Sequence, residues 1–251
     1  MPLLNDLDFF ERPAPQAKLW RYMDLSKYVS LLSTTALWFS RADLLGDPFE
    51  GSVPALNVEG RRLLFLQPGT QPEAVDSIME RMAALARRVI KMSAVSCWHE
   101  SEVESAAMWS IYVRSGEGIA LQTTVDRLVD ALAPDTDFRL GRVRYVDYQM
   151  EAIPDGNMLW PLLCKRNSFA HEREVRALIL GGELVDASGQ WGTGIAEPGV
   201  SARVDLGHLI EKVHLSPSAP AWLVDAVRQV TAKFGVDSPV CQSAMDGSPL
   251  Y

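Results

Sequence analysis

The sequence predicts an α+β fold: one domain with a mixed, mainly antiparallel sheet and flanking helices. Short runs of strand length, rich in aromatic and β-branched residues, recur along the chain. Amphipathic segments with helical spacing lie between them. The connections are uneven, without the regular strand–helix alternation of a doubly wound parallel sheet.

Taken in order, Leu19–Tyr22 reads as a first strand, and Asp24 caps a helix whose Leu25, Tyr28, Val29 and Leu32 fall on one face. Ala36–Phe39 reads as a second strand, followed by a turn-rich loop over 43–51 where Gly, Asp and Pro favour irregular backbone. Residues 73–92 form a helix with an apolar stripe from Val75 to Val89, acids early and Arg87, Arg88 and Lys91 late, as the helix dipole prefers. Ala94–Trp98 is a buried strand. Ser101–Glu104 has the form of a capping box opening a helix through Trp109 and Tyr112. Gly118–Gln122 is the next strand, with a helix after it. Further strands are expected at 140–146, 174–181, 201–205 and 211–215, a last helix at 219–234 stopped by Gly235, and a closing strand at 240–244. A single globular domain over 1–251 is expected, with an N-terminal extension at 1–18 and a flap loop at 186–200.

Composition narrows the function classes. The chain has 251 residues, 47% hydrophobic and 22% charged, enough for a full core. Its net charge is −8 with no long basic run, so no general nucleic-acid affinity is expected. Three widely spaced cysteines form no CxxC pair and point to a reducing compartment. No apolar run approaches the roughly 18 residues of a membrane span, and the first residues lack a signal-peptide core; a soluble cytoplasmic protein is expected. GxSxG, GxGxxG and P-loop patterns are absent.

The densest chemistry lies in Cys164–Arg176. If extended backbone begins near Glu172, the two-residue period puts Glu172, Glu174 and Arg176 on one face. The pattern suits an ion-paired edge strand, or a site in which a carboxylate bonds a ribose hydroxyl, holds a metal or acts as a base while Arg176 holds a phosphate. Asp47-Pro48-Phe49-Glu50 is either a self-bonded turn or a pocket rim, with Arg21 and Arg41 as partners for its acids. His99 ends a strand beside Trp98 and reads as a structural histidine; with His171 far away in sequence, no zinc site is indicated. Trp109 and Tyr112, three apart on a helix, share a face that can wall a pocket for a planar ring.

Trp20-Arg21-Tyr22, Leu37-Trp38-Phe39-Ser40, Gly46-Asp47-Pro48-Phe49-Glu50, Ser96-Cys97-Trp98, Met108-Trp109-Ser110-x-Tyr112, Gly116-x-Gly118-Ile119-Ala120-Leu121 and Lys165 with Phe169-x-x-Glu172-x-Glu174-x-Arg176 together resemble an uncharacterised bacterial family. It is catalogued as domain of unknown function twenty-nine seventy-one, and the match covers most of 19–245. The early strand, short helix, second strand and late glutamate opening an apolar strand also resemble ADP-ribosyltransferases, including those that modify DNA. That resemblance implies NAD as substrate, Arg21 or Tyr22 contacting it, Tyr28 or Trp109 stacking nicotinamide, Glu174 as the catalytic acid and Glu172 as its pair. It also implies a toxin or phage-defence role. The first strand departs from one branch of that fold in having no histidine. The candidate set is therefore Glu174 and Glu172 for catalysis, and Arg21, Tyr22, Arg41, Asp47, Glu50, Trp98, Trp109, Tyr112, Lys165 and Arg176 for binding, with no metal. A metal-dependent nuclease built on Asp47 or Glu50 with Glu172 and Glu174, and a non-catalytic module for a nucleotide-like ligand or a partner protein, are the alternatives.

Overall fold

Several strands end on the residue that starts the next helix. Asp24 closes β1 (Lys18–Asp24) and accepts the Lys27 amide at 2.8 Å, which opens α1 (Leu25–Thr34). Thr35 then takes a left-handed conformation (φ 51°) and turns the chain directly into β2 (Ala36–Arg41). In this computed structural model, which describes residues 10–113, 116–181 and 194–247, the chain continues through α2 (Ala55–Phe65) and α3 (Pro72–Met92). Next come β3 (Ser93–Glu100), α4 (Ala106–Tyr112), β4 (Gly118–Thr124), α5 (Val125–Ala131), β5 (Phe138–Arg142) and β6 (Arg144–Val146). The rest comprises β7 (Cys164–Arg166), β8 (Glu174–Leu180), β9 (Gly199–Arg203), α6 (Leu206–Leu209), β10 (Lys212–Leu215), α7 (Ala221–Lys233) and β11 (Val240–Gln242).

Nine of these strands form one mixed sheet. Its path runs β11-β10-β4-β1-β3-β2-β9, with β8 on the other edge of β3 and β5 beyond it; only β10 and β11 pair in parallel. β6 and β7 make a separate parallel pair. Helices cover both faces, which is why the central strands are apolar on both sides rather than alternating. On one face α1, α5, α6 and α7 contribute Tyr28, Leu128, Leu209 and Val227 to the main core with Leu19, Trp98 and Val175. On the other, α4 packs Met108 and Trp109 on Trp20 and Tyr22, and α3 sets Val89 against Val95 and Leu178. The α+β class is as the sequence predicts.

Some boundaries differ. The strand expected at 140–146 is two strands: β5 follows β8 as far as the Val143 amide, which donates to the Glu174 carbonyl at 2.8 Å, and from Arg144 the chain pairs with β7 instead. The helix expected from Ser101 starts at Ala106, capped by Ser105, whose hydroxyl accepts the Met108 amide at 3.3 Å. Glu104 turns away to accept the Trp109 indole N–H at 3.0 Å and the Ala244 amide at 2.9 Å. Extended backbone does not begin at Glu172: residues Asn167–Glu172 form a 3-10 turn, and Arg173 adopts φ 41° before β8 starts. Of the expected flap, 186–193 lies outside the described residues, while Gly199 and Val200 belong to β9. In the expected N-terminal extension Phe10 is buried against Trp160, and the Glu11 carbonyl accepts the Arg142 amide. Helix α2 was not anticipated. Among the described residues no helix is long and apolar enough to cross a membrane.

Candidate functional site

A strand has two edges, and three strands compete for those of β3. β8 takes one edge along 93–99. On the other, β1 pairs only at the end (Leu19 with Glu100, Trp20 with His99) and β2 only at the start (Ser40 with Val95, Arg41 with Ala94). Between these anchor points β1 and β2 diverge, so the sheet forks opposite Ser96–Trp98. A cavity of about 580 Å³ occupies the fork, walled by β1, α1, β2, β3 and α4. Side chains alternate across a sheet. Arg21 and Trp98 therefore lie toward the α1 face, and His99 and Glu174 toward the α4 face. In an unbroken sheet the two sets would be separated; the fork lets one cavity touch both.

The α4 side is acidic. Glu174 is 5% exposed and its carboxylate accepts Arg176 Nε at 2.8 Å, Arg176 Nη2 at 3.1 Å and Lys165 Nζ at 3.2 Å. Burial alone would raise its pKa, but Arg176 first and then Lys165 overcome that and hold it down at about 2. Lys165 also bonds Glu172 and lies 3.7 Å from Glu50. Burial disfavours the ammonium, yet Glu174 and Glu172 outweigh it and shift the Lys165 pKa upward. The buried group thus sets three carboxylates, Glu50, Glu172 and Glu174, against two cations. Among the described residues one negative charge is left uncompensated beside the cavity that Glu172 and Glu174 line.

The α1 side is cationic. Arg21 donates from Nη1 to the Ser96 hydroxyl at 2.7 Å and from Nη2 to the Trp38 carbonyl at 3.0 Å, and lies 5.6 Å from the Trp98 ring centroid. All of these partners are neutral, and burial lowers its pKa to about 10. Among the described residues two of its five N–H groups are used and no carboxylate pairs with it, so the side chain is a cation free to meet an anion. Tyr22, Trp98 and Tyr112 also line the cavity, as do three residues the sequence did not single out for binding, Cys97, Met108 and Trp38. Trp38, 42% exposed, and Tyr112, 45% exposed, sit where the cavity meets solvent.

Other expected residues are placed elsewhere. Arg176 presents no open fork: its N–H groups bond Glu50 at 2.7 and 2.8 Å, Glu174, and the Leu162 carbonyl at 2.6 Å, so it holds carboxylates of this chain and not a ligand phosphate. Glu50 is its buried partner and does not reach the cavity. Asp47 is engaged by Arg166 at 2.8 Å, not by Arg21 or Arg41. Arg41 bonds Asp43 and the carbonyls of Ile195, Ala196 and Glu197, tying β2 to the segment before β9. Trp109 is behind the wall, edge-on to Tyr22 with ring centroids 5.0 Å apart, and does not share Tyr112's aspect. Tyr28 is fully buried, with its hydroxyl 2.7 Å from that of Thr231, and is not among the residues that line the cavity. A divalent cation would have to displace Lys165 from Glu172 and Glu174, and among the described residues no His, Cys, Asp and Glu group is spaced to hold one.

His99 is the residue whose part sequence reasoning missed. Its Nδ1 lies 2.6 Å from the Glu172 carbonyl, and the ring lines the cavity. The two-residue period already put it on one face with Val95 and Cys97; only the β3–β8 register brings Glu174 to that face.

No family model matches the chain and no curated protein matches it by sequence. Solved structures of Thermus sp. 2.9 DarT are similar in outline. The complex with NAD+ gives a TM-score of 0.42 at 8% identity, covering 94% of this chain and 98% of that one. The complex with carba-NAD+ gives 0.41 at 8% identity, covering 93% and 98%. The complex with ADP-ribosylated ssDNA gives 0.41 at 10% identity, covering 94% and 97%.

Proposed function

We propose that this chain is an ADP-ribosyltransferase-like enzyme that binds NAD+ in the fork of its sheet and cleaves the bond between nicotinamide and ribose. The observation that carries the reading is one cavity with opposite charge at its two sides: Arg21, a guanidinium without an acidic partner among the described residues, and the Glu172/Glu174 group with a surplus carboxylate. NAD+ has the matching distribution, an anionic diphosphate and a cationic pyridinium ring. A volume of about 580 Å³ is within the range of small-molecule sites. Arg21 takes the diphosphate, and the rings at the cavity mouth enclose the planar groups. Glu174, ionised and fixed by Arg176, faces the ribose carbon at which positive charge grows as the electron pair of the breaking C–N bond leaves with nicotinamide. Glu172, held by Lys165, is the second acid. Hydrolysis to ADP-ribose and transfer to an acceptor share this step, and consumption of NAD+ in the cytoplasm suits a toxin or defence effector.

The test is nicotinamide release from NAD+ by the purified chain, followed chromatographically. The wild type should release nicotinamide, and Glu174→Gln should lose about a hundredfold or more of the rate. An undiminished rate in that variant removes Glu174 from the chemistry, and a wild type that releases none removes the enzymatic reading.

A further inference from the structure

The geometry points to His99 as the general base of this site, taking the proton from the group that replaces nicotinamide on the ribose. This inference rests on the reading above. His99 and Glu174 are register partners across β3 and β8, so their side chains leave the same face with Cβ atoms about 5 Å apart. A carbonyl oxygen only accepts, so the 2.6 Å contact with the Glu172 carbonyl fixes the hydrogen of His99 on Nδ1. The lone pair of the neutral ring is then on Nε2. Among the described residues Nε2 has no hydrogen-bond partner, and it is not sealed from solvent-sized space; the ring, 5% exposed, lines the cavity. Tyr22 packs against it edge-on at 6.3 Å between centroids, which helps fix its plane.

Elimination points the same way. Glu174, with a pKa near 2, is a poor proton acceptor at neutral pH. Lys165 carries its proton, and the Cys97 thiol is pushed well up by burial. Burial shifts His99 downward, so its imidazole is neutral in the range where an enzyme at neutral pH needs a base. The oxygen of water or of an acceptor hydroxyl forms a bond to the ribose carbon as the bond to nicotinamide breaks and its electron pair neutralises the pyridinium ring. The hydroxyl proton passes to Nε2 of His99 and from there to solvent.

The test compares wild type, His99→Asn and Glu174→Gln. Asparagine can still donate to the Glu172 carbonyl but cannot take a proton. Nicotinamide release by His99→Asn should fall about a hundredfold, while carba-NAD+ binds with an affinity within about threefold of wild type. Azide, an anionic nucleophile with no proton to lose, should restore release in His99→Asn and yield ADP-ribosyl azide; it should not rescue Glu174→Gln. His99→Gln is measured in parallel, in case the asparagine variant melts early. Release within about threefold of wild type, or a folded variant that binds carba-NAD+ but is not rescued by azide, overturns the assignment. An active wild type beside an unimpaired His99→Asn sinks this inference alone; an inactive wild type sinks the function on which it rests.

Discussion

Replacing Arg176 with methionine tests whether the buried charge group is built as described. The guanidinium is 1% exposed and bridges Glu50 and Glu174, which are also buried. The depression of Glu174 from an ordinary 4.5 to about 2 corresponds to about 3 kcal/mol of stabilisation of its ionised form. Lys165 remains 3.2 Å from Glu174, so the loss should fall at the lower end of the roughly 3–5 kcal/mol typical of a broken buried pair. For a chain of this size that is a fall of about 6–12 °C in melting temperature at pH 7. The sign with pH follows. In the wild type the folded pKa of Glu174 lies below the unfolded one, so its contribution is complete above about pH 4.5 and is lost as pH falls toward 2. In Arg176→Met the Glu174 carboxylate keeps only Lys165, so burial pushes its pKa upward, and protonation relieves the penalty. The gap between the two proteins, read by thermal melting, should therefore narrow between pH 7 and pH 4. A variant melting within about 2 °C of wild type, or a gap independent of pH, refutes the reasoning.

Four further outcomes are expected. Arg21→Met should weaken binding of carba-NAD+ and of ADP-ribose about equally, since both carry the diphosphate, by about tenfold or more in titration calorimetry. Tyr28→Phe removes the hydroxyl bonded to Thr231, whose Oγ still donates to the Val227 carbonyl at 2.7 Å; it should cost about 1 kcal/mol in denaturant unfolding and leave ligand affinity unchanged. Gly199→Ala would place a Cβ 2.2 Å from the Phe39 carbonyl oxygen and 2.5 Å from the Trp38 ring, so it should lower stability by about 1–3 kcal/mol and disturb Trp38 fluorescence. Leu128→Ala, at a fully buried core position, should cost about 2–5 kcal/mol without changing the ratio of NAD+ to ADP-ribose affinity.

The sheet was legible because its strands are short and apolar, and capping residues such as Asp24 mark where they give way to helices. α2 was not, since Gly60 interrupts it and Leu56, Leu63 and Leu64 stay exposed and make no inward stripe. Arg21, Tyr112, Glu172 and Glu174 come from β1, α4, the turn before β8 and β8 itself, and line one cavity. What the sequence does not encode locally is which cation faces which acid. Arg176 looked like a ligand clamp because its partner Glu50 is 126 positions away, and Lys165 gained its role only through the turn at Asn167–Glu172. The fork itself depends on β1 and β2 sharing one edge of β3, a register property that no single segment carries. His99 escaped notice for a related reason: its orienting partner is a backbone carbonyl, and every residue has one.

The central claim is that the cavity is anion-binding on one side and cation-binding on the other. It is tested most directly by comparing the affinity of the wild-type chain for carba-NAD+, whose ring is charged and whose bond resists hydrolysis, with that for NADH, whose ring is neutral. Carba-NAD+ should bind about tenfold tighter, and the preference should vanish in Glu174→Gln. Equal affinities, or tighter binding of NADH, would contradict the account.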